Sequence, residues 1–323
     1  MTIHAGIIGT GFAARKRIEA LRAISLVRLT GVISRNPERA QDFGKQHQLP
    51  GSSSIEAFWH ELDLVFICTV NADHGALVKQ ALENNKHVVV EYPLALDVEQ
   101  AAELVSLAHE RQRLLHVEHI ELIGGLHLAM KQHIADVGKP YYVNYRTFAP
   151  KHPAPKKWSY CPELLGFPLM AALSRIQRLT DLLGPVDYVT CQSRIQPDSE
   201  DPNYFCNCLY SAQLRFCNDT LVELTYGKGE GLWQRVRYIE VRGDQGCLTF
   251  DGNHGCLTTA HGKQMIEAAP RQGLFQKDTH WVIDHLISGK SMYVQPEDSL
   301  YSLRVAAALQ QAVKLGERVR ISD

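Results

Sequence analysis

The chain has 323 residues, enough for two domains of ordinary size, and 45% of them are hydrophobic while 21% are charged. This balance is typical of a folded globular protein and excludes a disordered or fibrous one. The formal net charge is −1, which excludes a global attraction to nucleic acid or to an anionic membrane. No export signal opens the sequence, and no apolar run approaches the roughly 20 residues that cross a bilayer. We therefore expect a cytoplasmic protein without nucleic-acid or membrane partners.

The first part of the chain alternates short apolar strands with helical segments. The predicted strands are Ala5–Ile8, Val27–Ile33, Leu64–Thr69, His87–Val90 and Leu114–Val117. The predicted helices are Phe12–Ala23, Pro37–Gln46, Asp73–Asn84 and Val98–Glu110. Regular alternation of this kind indicates a parallel sheet covered by helices on both faces. The sequence thus predicts a doubly wound α/β Rossmann domain over residues 1–122.

The rest of the chain has a different pattern. Runs such as Tyr141–Arg146 and Leu221–Tyr226 alternate in polarity and are joined by turns rich in Gly, Asn and Asp, which favours antiparallel strands. Three helices are predicted among them, over Pro168–Leu183, Leu274–Ile287 and Leu300–Lys314. We therefore expect residues 123–323 to form an α+β domain with a mainly antiparallel open sheet.

The turn after the first strand carries a dinucleotide-binding pattern. Gly9-Thr10-Gly11-Phe12-Ala13-Ala14 fits G-x-G-x-x-G/A and lies between a predicted strand and a predicted helix. Gly9 permits a tight turn, Gly11 lets the backbone approach a pyrophosphate, and Ala14 allows close helix packing. The N–H groups of the helix N-terminus would receive the anion, so this segment predicts a dinucleotide site.

The end of the second strand predicts which dinucleotide is bound. An acidic residue about 20 positions after the glycines would bind the ribose 2′-hydroxyl of NAD. This chain has Ser34 and Arg35 there, a hydroxyl and a guanidinium suited to a 2′-phosphate. The sequence therefore predicts a preference for NADPH, with NADH binding more weakly.

Four polar residues follow other strands of the predicted sheet: Asn71, His74, Glu91 and His119. Ligands of doubly wound sheets bind at the carboxyl ends of the strands. We expect these residues to line the nicotinamide side of the site, with His119 also in contact with the substrate.

Neither the cysteines nor the histidines predict a metal site. Cys206-Asn207-Cys208 has one intervening residue where zinc sites usually have two to four, and His116-Val117-Glu118-His119 lacks the helical H-E-x-x-H spacing. We expect no metal and no disulfides.

The segment Glu91-Tyr92-Pro93 resembles the Gfo/Idh/MocA oxidoreductase family, in which a Glu-Lys-Pro triplet supplies a catalytic lysine after this strand. Counting back from Leu182-Leu183-Gly184, the acidic and histidine positions of that family's next helix fall on Met170, Ser174 and Gln177. These substitutions are those of the biliverdin reductases, a branch of the family. Further segments, in chain order over nearly the whole chain, resemble its cyanobacterial members: His116–Leu122, Gly166–Pro168, Ala171–Arg175, Tyr226–Glu230, Arg271–Phe275 and Asp278–Thr279.

The resemblance implies NADPH-dependent reduction of biliverdin to bilirubin. Hydride would reach the central methine carbon and a proton would reach a pyrrole nitrogen. The substrate would be an open-chain tetrapyrrole, and a bilin site needs an accessible sheet face, so we expect a monomer. Two alternatives stay open: a sugar or cyclitol dehydrogenase of the same family, and a non-catalytic sensor of NADPH or a bilin.

Tyr92 and Arg175 are the expected catalytic residues. A tyrosine with an ordinary pKa of about 10 stays protonated, which suits reduction better than oxidation. The alternative is a core tyrosine that fills the space of the lysine. Arginine also stays protonated, so Arg175 would stabilise developing charge between nicotinamide and pigment or position a protonating water. The alternative, for Arg175 and also for Arg178 on the same helix, is a surface ion pair with Glu163 or Asp181.

Three further cations are expected to bind the substrate carboxylates. Arg178 lies three residues after Arg175 and shares its helix face, so it could reach a propionate. Lys228 lies within the glycine-rich segment 227–231 and Arg235 follows it; this segment could lie at the rim of the pocket or form a solvated hairpin tip.

Overall fold

The computed structural model describes residues 2–56 and 58–321, and their contacts divide the chain into two compact units. The first comprises the described residues of Met1–Ile120 together with Gly273–Leu300. The second comprises Glu121–Gln272 and the described residues of Tyr301–Asp323. The first break lies two residues before the predicted boundary. Segment Gly273–Leu300, predicted with the second domain, packs within the first unit instead.

The first unit contains a six-stranded sheet in the order β3-β2-β1-β4-β5-β6, with every pair parallel. Its strands are β1 (Ile3–Ile8), β2 (Val27–Ile33), β3 (Gly51–Ser52), β4 (Leu64–Ile67), β5 (His87–Glu91) and β6 (Leu115–Glu118). Its helices include α1 (Phe12–Arg22), α2 (Pro37–Gln46), α3 (Asn71–Glu83), α4 (Val98–Glu110) and α8 (Leu274–Ser288). The predicted doubly wound arrangement is confirmed.

Local sequence explains why these helices begin where they do. Asn36 precedes Pro37, and its side-chain oxygen accepts a hydrogen bond from the N–H of Arg39 at 2.9 Å. Asp97 caps α4 in the same way through the N–H of Gln100 at 2.8 Å. A side-chain cap of this kind contributes about 1 kcal/mol. The predicted limits of α2 and α4 are confirmed.

The core of the first unit lies between its sheet and helices. Phe66 of β4, Ile18 of α1 and Val282 of α8 all have no exposed surface and belong to one cluster. Burial of each such side chain stabilises the fold by about 1.5–3 kcal/mol. Helix α8 is thus part of this core although residues 119–273 separate it from β6 in the sequence.

The second unit contains a nine-stranded sheet in the order β14-β13-β12-β11-β7-β10-β9-β8-β15. Strands β7 and β10 pair in parallel and all other neighbours are antiparallel, which confirms a mainly antiparallel sheet. The strands are β7 (Pro140–Pro150), β8 (Val186–Pro197), β9 (Phe205–Phe216), β10 (Leu221–Gly229), β11 (Val236–Gly243), β12 (Gly246–Asp251), β13 (His254–Thr259), β14 (Gly262–Glu267) and β15 (Val319–Arg320).

The helices of this part of the chain are α5 (Gly125–His133), α6 (Pro162–Leu165), α7 (Leu173–Leu183) and α9 (Pro296–Leu315), and the division between the units falls within α9. Helix α7 begins five residues later than predicted. The N–H of Met170 bonds to the carbonyl of Phe167, and that of Leu173 bonds to Met170. These bonds span three residues and form separate turns, so the α-helical ladder starts only at Leu173.

Candidate active site

The glycine turn after β1 has the geometry of an anion site. Gly9 has φ +119°, and a Cβ there would collide with the carbonyl oxygen of Cys68. Gly11 precedes α1 as its N-cap without a side-chain cap, and a Cβ there would meet nothing within 4 Å. Ala14 is fully buried beneath the turn. Uncapped N–H groups beside open space fit the pyrophosphate of a dinucleotide.

The neighbouring predicted cofactor residues lie around this turn. Thr10 is half-buried, whereas the Phe12 ring is 63% exposed and contacts the Phe275 ring edge-on at a centroid distance of 6.0 Å. Ser34 and Arg35 follow β2, and the Arg35 guanidinium forms an ion pair of 2.9 Å with Asp73.

Helix α3 presents Asn71 and His74 after β4, and both are buried. His74 Nδ1 donates to the carbonyl oxygen of Pro93 at 2.8 Å. Burial lowers the pKa of His74, so the ring is neutral near neutrality. His74 therefore links α3 to the segment that carries Tyr92.

Tyr92 follows β5 and stacks on His119, with ring centroids 5.4 Å apart and planes within 6°. His119 Nε2 is hydrogen-bonded to Ser299 Oγ at 2.9 Å. Burial, assisted by His116, lowers the pKa of His119 to about 3. The structure therefore places a phenol beside a neutral imidazole, where a lysine would stand in the Glu-Lys-Pro pattern.

Beneath these rings lies a buried polar network that the sequence did not predict. The Arg17 guanidinium has no exposed surface; it pairs with Asp278 and, at 3.1 Å, with Glu91. Asp278 also accepts hydrogen bonds from His116 at 2.8 Å and from the Tyr293 hydroxyl at 2.6 Å. Burial alone would raise the pKa of Asp278, but Arg17 and His116 outweigh it and lower that pKa. One signal was available: Arg17 lies within the apolar stripe of α1.

Glu118 adds a third carboxyl group to this network, beside Asp278 and Glu91. It ends β6 opposite Glu91 of β5, and its side chain accepts from the N–H of Ile120 at 2.8 Å. Burial, reinforced by Glu91, raises the pKa of Glu118 well above its usual range. The surroundings of Glu118 therefore favour its protonated form, while Arg17 offsets the charge of Asp278.

In the second unit, Arg175 lies on α7 against the sheet. Its Nε donates to Thr147 at 3.4 Å and its NH1 donates to Ser174 at 3.1 Å. The guanidinium carbon lies 5.4 Å from the Tyr226 ring centroid. A half-buried cation on an aromatic ring can stabilise negative charge that develops beside it.

Arg178, on the same face of α7 as Arg175, belongs to a buried cluster of charged side chains. It donates to the Tyr145 hydroxyl and, at 3.0 Å, to Glu121. Glu121 also accepts from Arg237 at 3.1 Å and pairs with Arg271. Burial would raise the pKa of Glu121, but these arginines lower it. Three guanidinium groups around one carboxylate leave a net positive charge in this cluster.

The alternative of an ion pair between Arg178 and Asp181 is wrong, because Asp181 accepts from His127 at 2.7 Å and pairs with Lys131 at 3.1 Å. Lys228 lies in β10, so a solvated hairpin tip is also wrong for it. Its ammonium donates to the carbonyl oxygen of Ser159 at 2.6 Å, and burial lowers its pKa to about 8. Arg235 is exposed in the loop before β11.

The described part of the chain contains no group of three His, Cys, Asp or Glu side chains that could hold a metal ion. All eight cysteines are free. No described helix is long and apolar enough to span a bilayer.

Comparisons with known proteins give the family. A family model described as "Oxidoreductase family, NAD-binding Rossmann fold" matches residues 3–119, and one described as "Oxidoreductase family, C-terminal alpha/beta domain" matches residues 131–321. Mouse and human biliverdin reductase A are 27% and 25% identical to this chain. Each match covers 94% of this chain and 94% of the relative.

Among solved structures, the biliverdin reductase of Synechocystis sp. PCC 6803, determined with biliverdin and NADP⁺, superposes with a TM-score of 0.93. It is 41% identical, and the match covers 97% of this chain and 99% of that one. The chain belongs to the Gfo/Idh/MocA family of NAD(P)-dependent oxidoreductases.

Proposed function

We propose that this protein reduces biliverdin to bilirubin with NADPH, by hydride transfer to the central methine carbon and protonation of a pyrrole nitrogen. The observation that carries the proposal is the 41% identity to the Synechocystis enzyme over nearly the full length of both chains. The substitution of the family lysine by Tyr92 supports it independently.

NADPH fits the first unit at the glycine turn. The N–H groups at the start of α1 would receive the pyrophosphate, and Ser34 and Arg35 would bind the 2′-phosphate. Bound NADPH supplies the hydride from C4 of its nicotinamide. Asn71 and Glu91 lie at or after the carboxyl ends of β4 and β5, where they would contact the nicotinamide half, and the fully buried His74 would act by holding the Pro93 segment in place.

The residues around Tyr92 favour reduction over alcohol oxidation. Oxidation of an alcohol needs a group that accepts a proton near neutrality. Tyr92 brings a phenol instead of the amine of the family lysine, and the buried His119 beside it is a weak base whose pKa is about 3. Tyr92 would donate a hydrogen bond to the substrate, and the His119 ring would fix the orientation of the phenol.

Arg175 would act on the pigment. Hydride addition to the methine carbon places electron density on the conjugated system and a pyrrole nitrogen takes up a proton. A guanidinium does not release its proton, so Arg175 would stabilise that density or hold the water that delivers the proton.

The substrate carboxylates need cations. The positive cluster around Glu121, which includes Arg178, would attract one propionate electrostatically. Lys228 and Arg235 are the candidates for the other.

One mixture tests the proposal. The protein is combined with NADPH and biliverdin at pH values from 5 to 8, and the absorption spectrum is followed. Appearance of the bilirubin spectrum, dependent on both reagents, supports the proposal. Binding of either compound without turnover would indicate a sensor, and turnover only with sugars or cyclitols and NADP⁺ would indicate a dehydrogenase. Either result would contradict it.

A further inference from the structure

An ion pair joins two residues that follow different strands of the first-unit sheet at their carboxyl ends. Arg35 follows β2, and Asp73 lies in the first turn of α3, which follows β4. In the sheet order these two strands flank β1, which leads into the Gly9–Gly11 turn. The 2.9 Å contact between Arg35 and Asp73 therefore joins the two strands on either side of the strand that carries the turn.

The two partners are held unequally. The Arg35 side chain is 79% exposed. The Asp73 side chain is only 21% exposed, and its backbone belongs to the regular helix α3. A carboxylate in the first turn of a helix is stabilised by the helix dipole. Asp73 is thus a fixed anion and Arg35 is a cation that can move between partners.

We propose that Asp73 is a specificity-determining residue that limits the preference for NADPH by competing with the 2′-phosphate for Arg35. The inference rests on the proposed function, because that assigns the 2′-phosphate to Arg35. When NADPH binds, the guanidinium exchanges the Asp73 carboxylate for the phosphate, and the carboxylate is left near a second anion. Both effects weaken NADPH binding.

NADH provides the internal comparison. It has a hydroxyl in place of the 2′-phosphate, so Arg35 has no anion to move toward and keeps its contact with Asp73. Removal of the carboxylate should therefore change NADPH affinity and leave NADH affinity unaffected. If Asp73 instead aligned Arg35 for the phosphate, its removal would weaken NADPH binding, which is the opposite sign.

The test measures dissociation constants of NADPH and NADH for wild type, Asp73→Asn, Arg35→Ala and the double variant, from cofactor fluorescence at low and high salt. Exposed ion pairs contribute modestly, so Asp73→Asn should bind NADPH about two- to five-fold more tightly with NADH unchanged. The gain should shrink in the Arg35→Ala background and at high salt. Asp42→Asn removes the same charge from an exposed position of α2 and should change neither constant.

Two results would overturn the inference: weaker NADPH binding by Asp73→Asn, or an equal change for both cofactors. Failure of the proposed cofactor assignment looks different, because Arg35→Ala would then leave the ratio of the NADPH and NADH constants at its wild-type value. Because the readout is binding, neither outcome depends on turnover of biliverdin.

Discussion

Replacement of Arg175 by alanine separates a catalytic role from a structural one. The substitution removes the hydrogen bonds to Thr147 and Ser174 and the cation–π interaction with the Tyr226 ring. Together these interactions contribute about 2.5–3 kcal/mol at a half-buried site, because each of the two neutral-partner hydrogen bonds contributes about 1 kcal/mol and the partly exposed cation–π interaction contributes about 0.5–1 kcal/mol. A domain with several kcal/mol of stability would stay folded without them.

The expected effect on catalysis is larger. Loss of one preorganised donor to developing charge lowers kcat by about 10²–10³-fold. The assay is bilirubin formation under saturating NADPH and biliverdin, with urea denaturation and the dissociation constant of NADPH measured on the same samples. Arg194→Ala, which removes an exposed arginine from β8, is the matched control and should keep wild-type kcat. A kcat for Arg175→Ala within about threefold of wild type would refute the reasoning, since charge stabilisation by this residue requires a larger loss.

Three further predictions concern the first unit. Tyr92→Phe keeps the stacking on His119 but loses the hydroxyl, so kcat should fall about tenfold with an unchanged NADPH dissociation constant; wild-type kcat would contradict the role of the phenol. Arg17→Leu leaves Asp278 and Glu91 buried without their cation, and urea denaturation should show a loss of about 3–5 kcal/mol. A loss below about 1 kcal/mol would contradict the network. Glu118 has a folded-state pKa above its unfolded value of 4.5, so the stability from its protonated form is complete below that value and is lost as pH rises. As pH rises above 4.5, the free energy of unfolding of wild type should fall relative to that of Glu118→Gln, by at most about 1.4 kcal/mol per pH unit, and a constant difference would contradict a buried protonated carboxyl.

The architecture of the first unit was predictable because its information is local. Apolar strands bounded by turns alternate along the sequence with capped helices such as α2 and α4. Each of these signals lies within the element itself, so the limits of the elements could be assigned to within a few residues. The glycine turn was predictable for the same reason, since only glycine tolerates the backbone of residue 9 and its approach to Cys68.

The buried network was not predictable, because its partners are far apart in sequence. Arg17 and Asp278 are separated by 261 positions, and the contact exists only because α8 returns to the first unit. An arginine in an apolar stripe signals a buried partner but does not identify it. Likewise, the partner of Arg178 is Glu121, which no helical spacing could indicate.

Lys228 shows how a glycine-rich segment can mislead. Gly227 and Gly229 suggested a turn, yet both lie in β10. A Cβ at Gly229 would collide with the carbonyl oxygen of Cys206, and one at Gly227 would lie 3.1 Å from the Phe148 ring. These glycines permit close strand packing, and they keep Lys228 within the sheet.

Transfer of a hydride to the central methine carbon of the pigment is the claim on which the functional account depends. A reaction of biliverdin with NADPH that carries deuterium at both C4 positions of the nicotinamide, followed by mass spectrometry and NMR of the product, tests it directly. The expected product is bilirubin with one deuterium on the central bridge carbon, which the reduction converts from a methine to a methylene group. Product without deuterium, or with deuterium at another carbon, would contradict it.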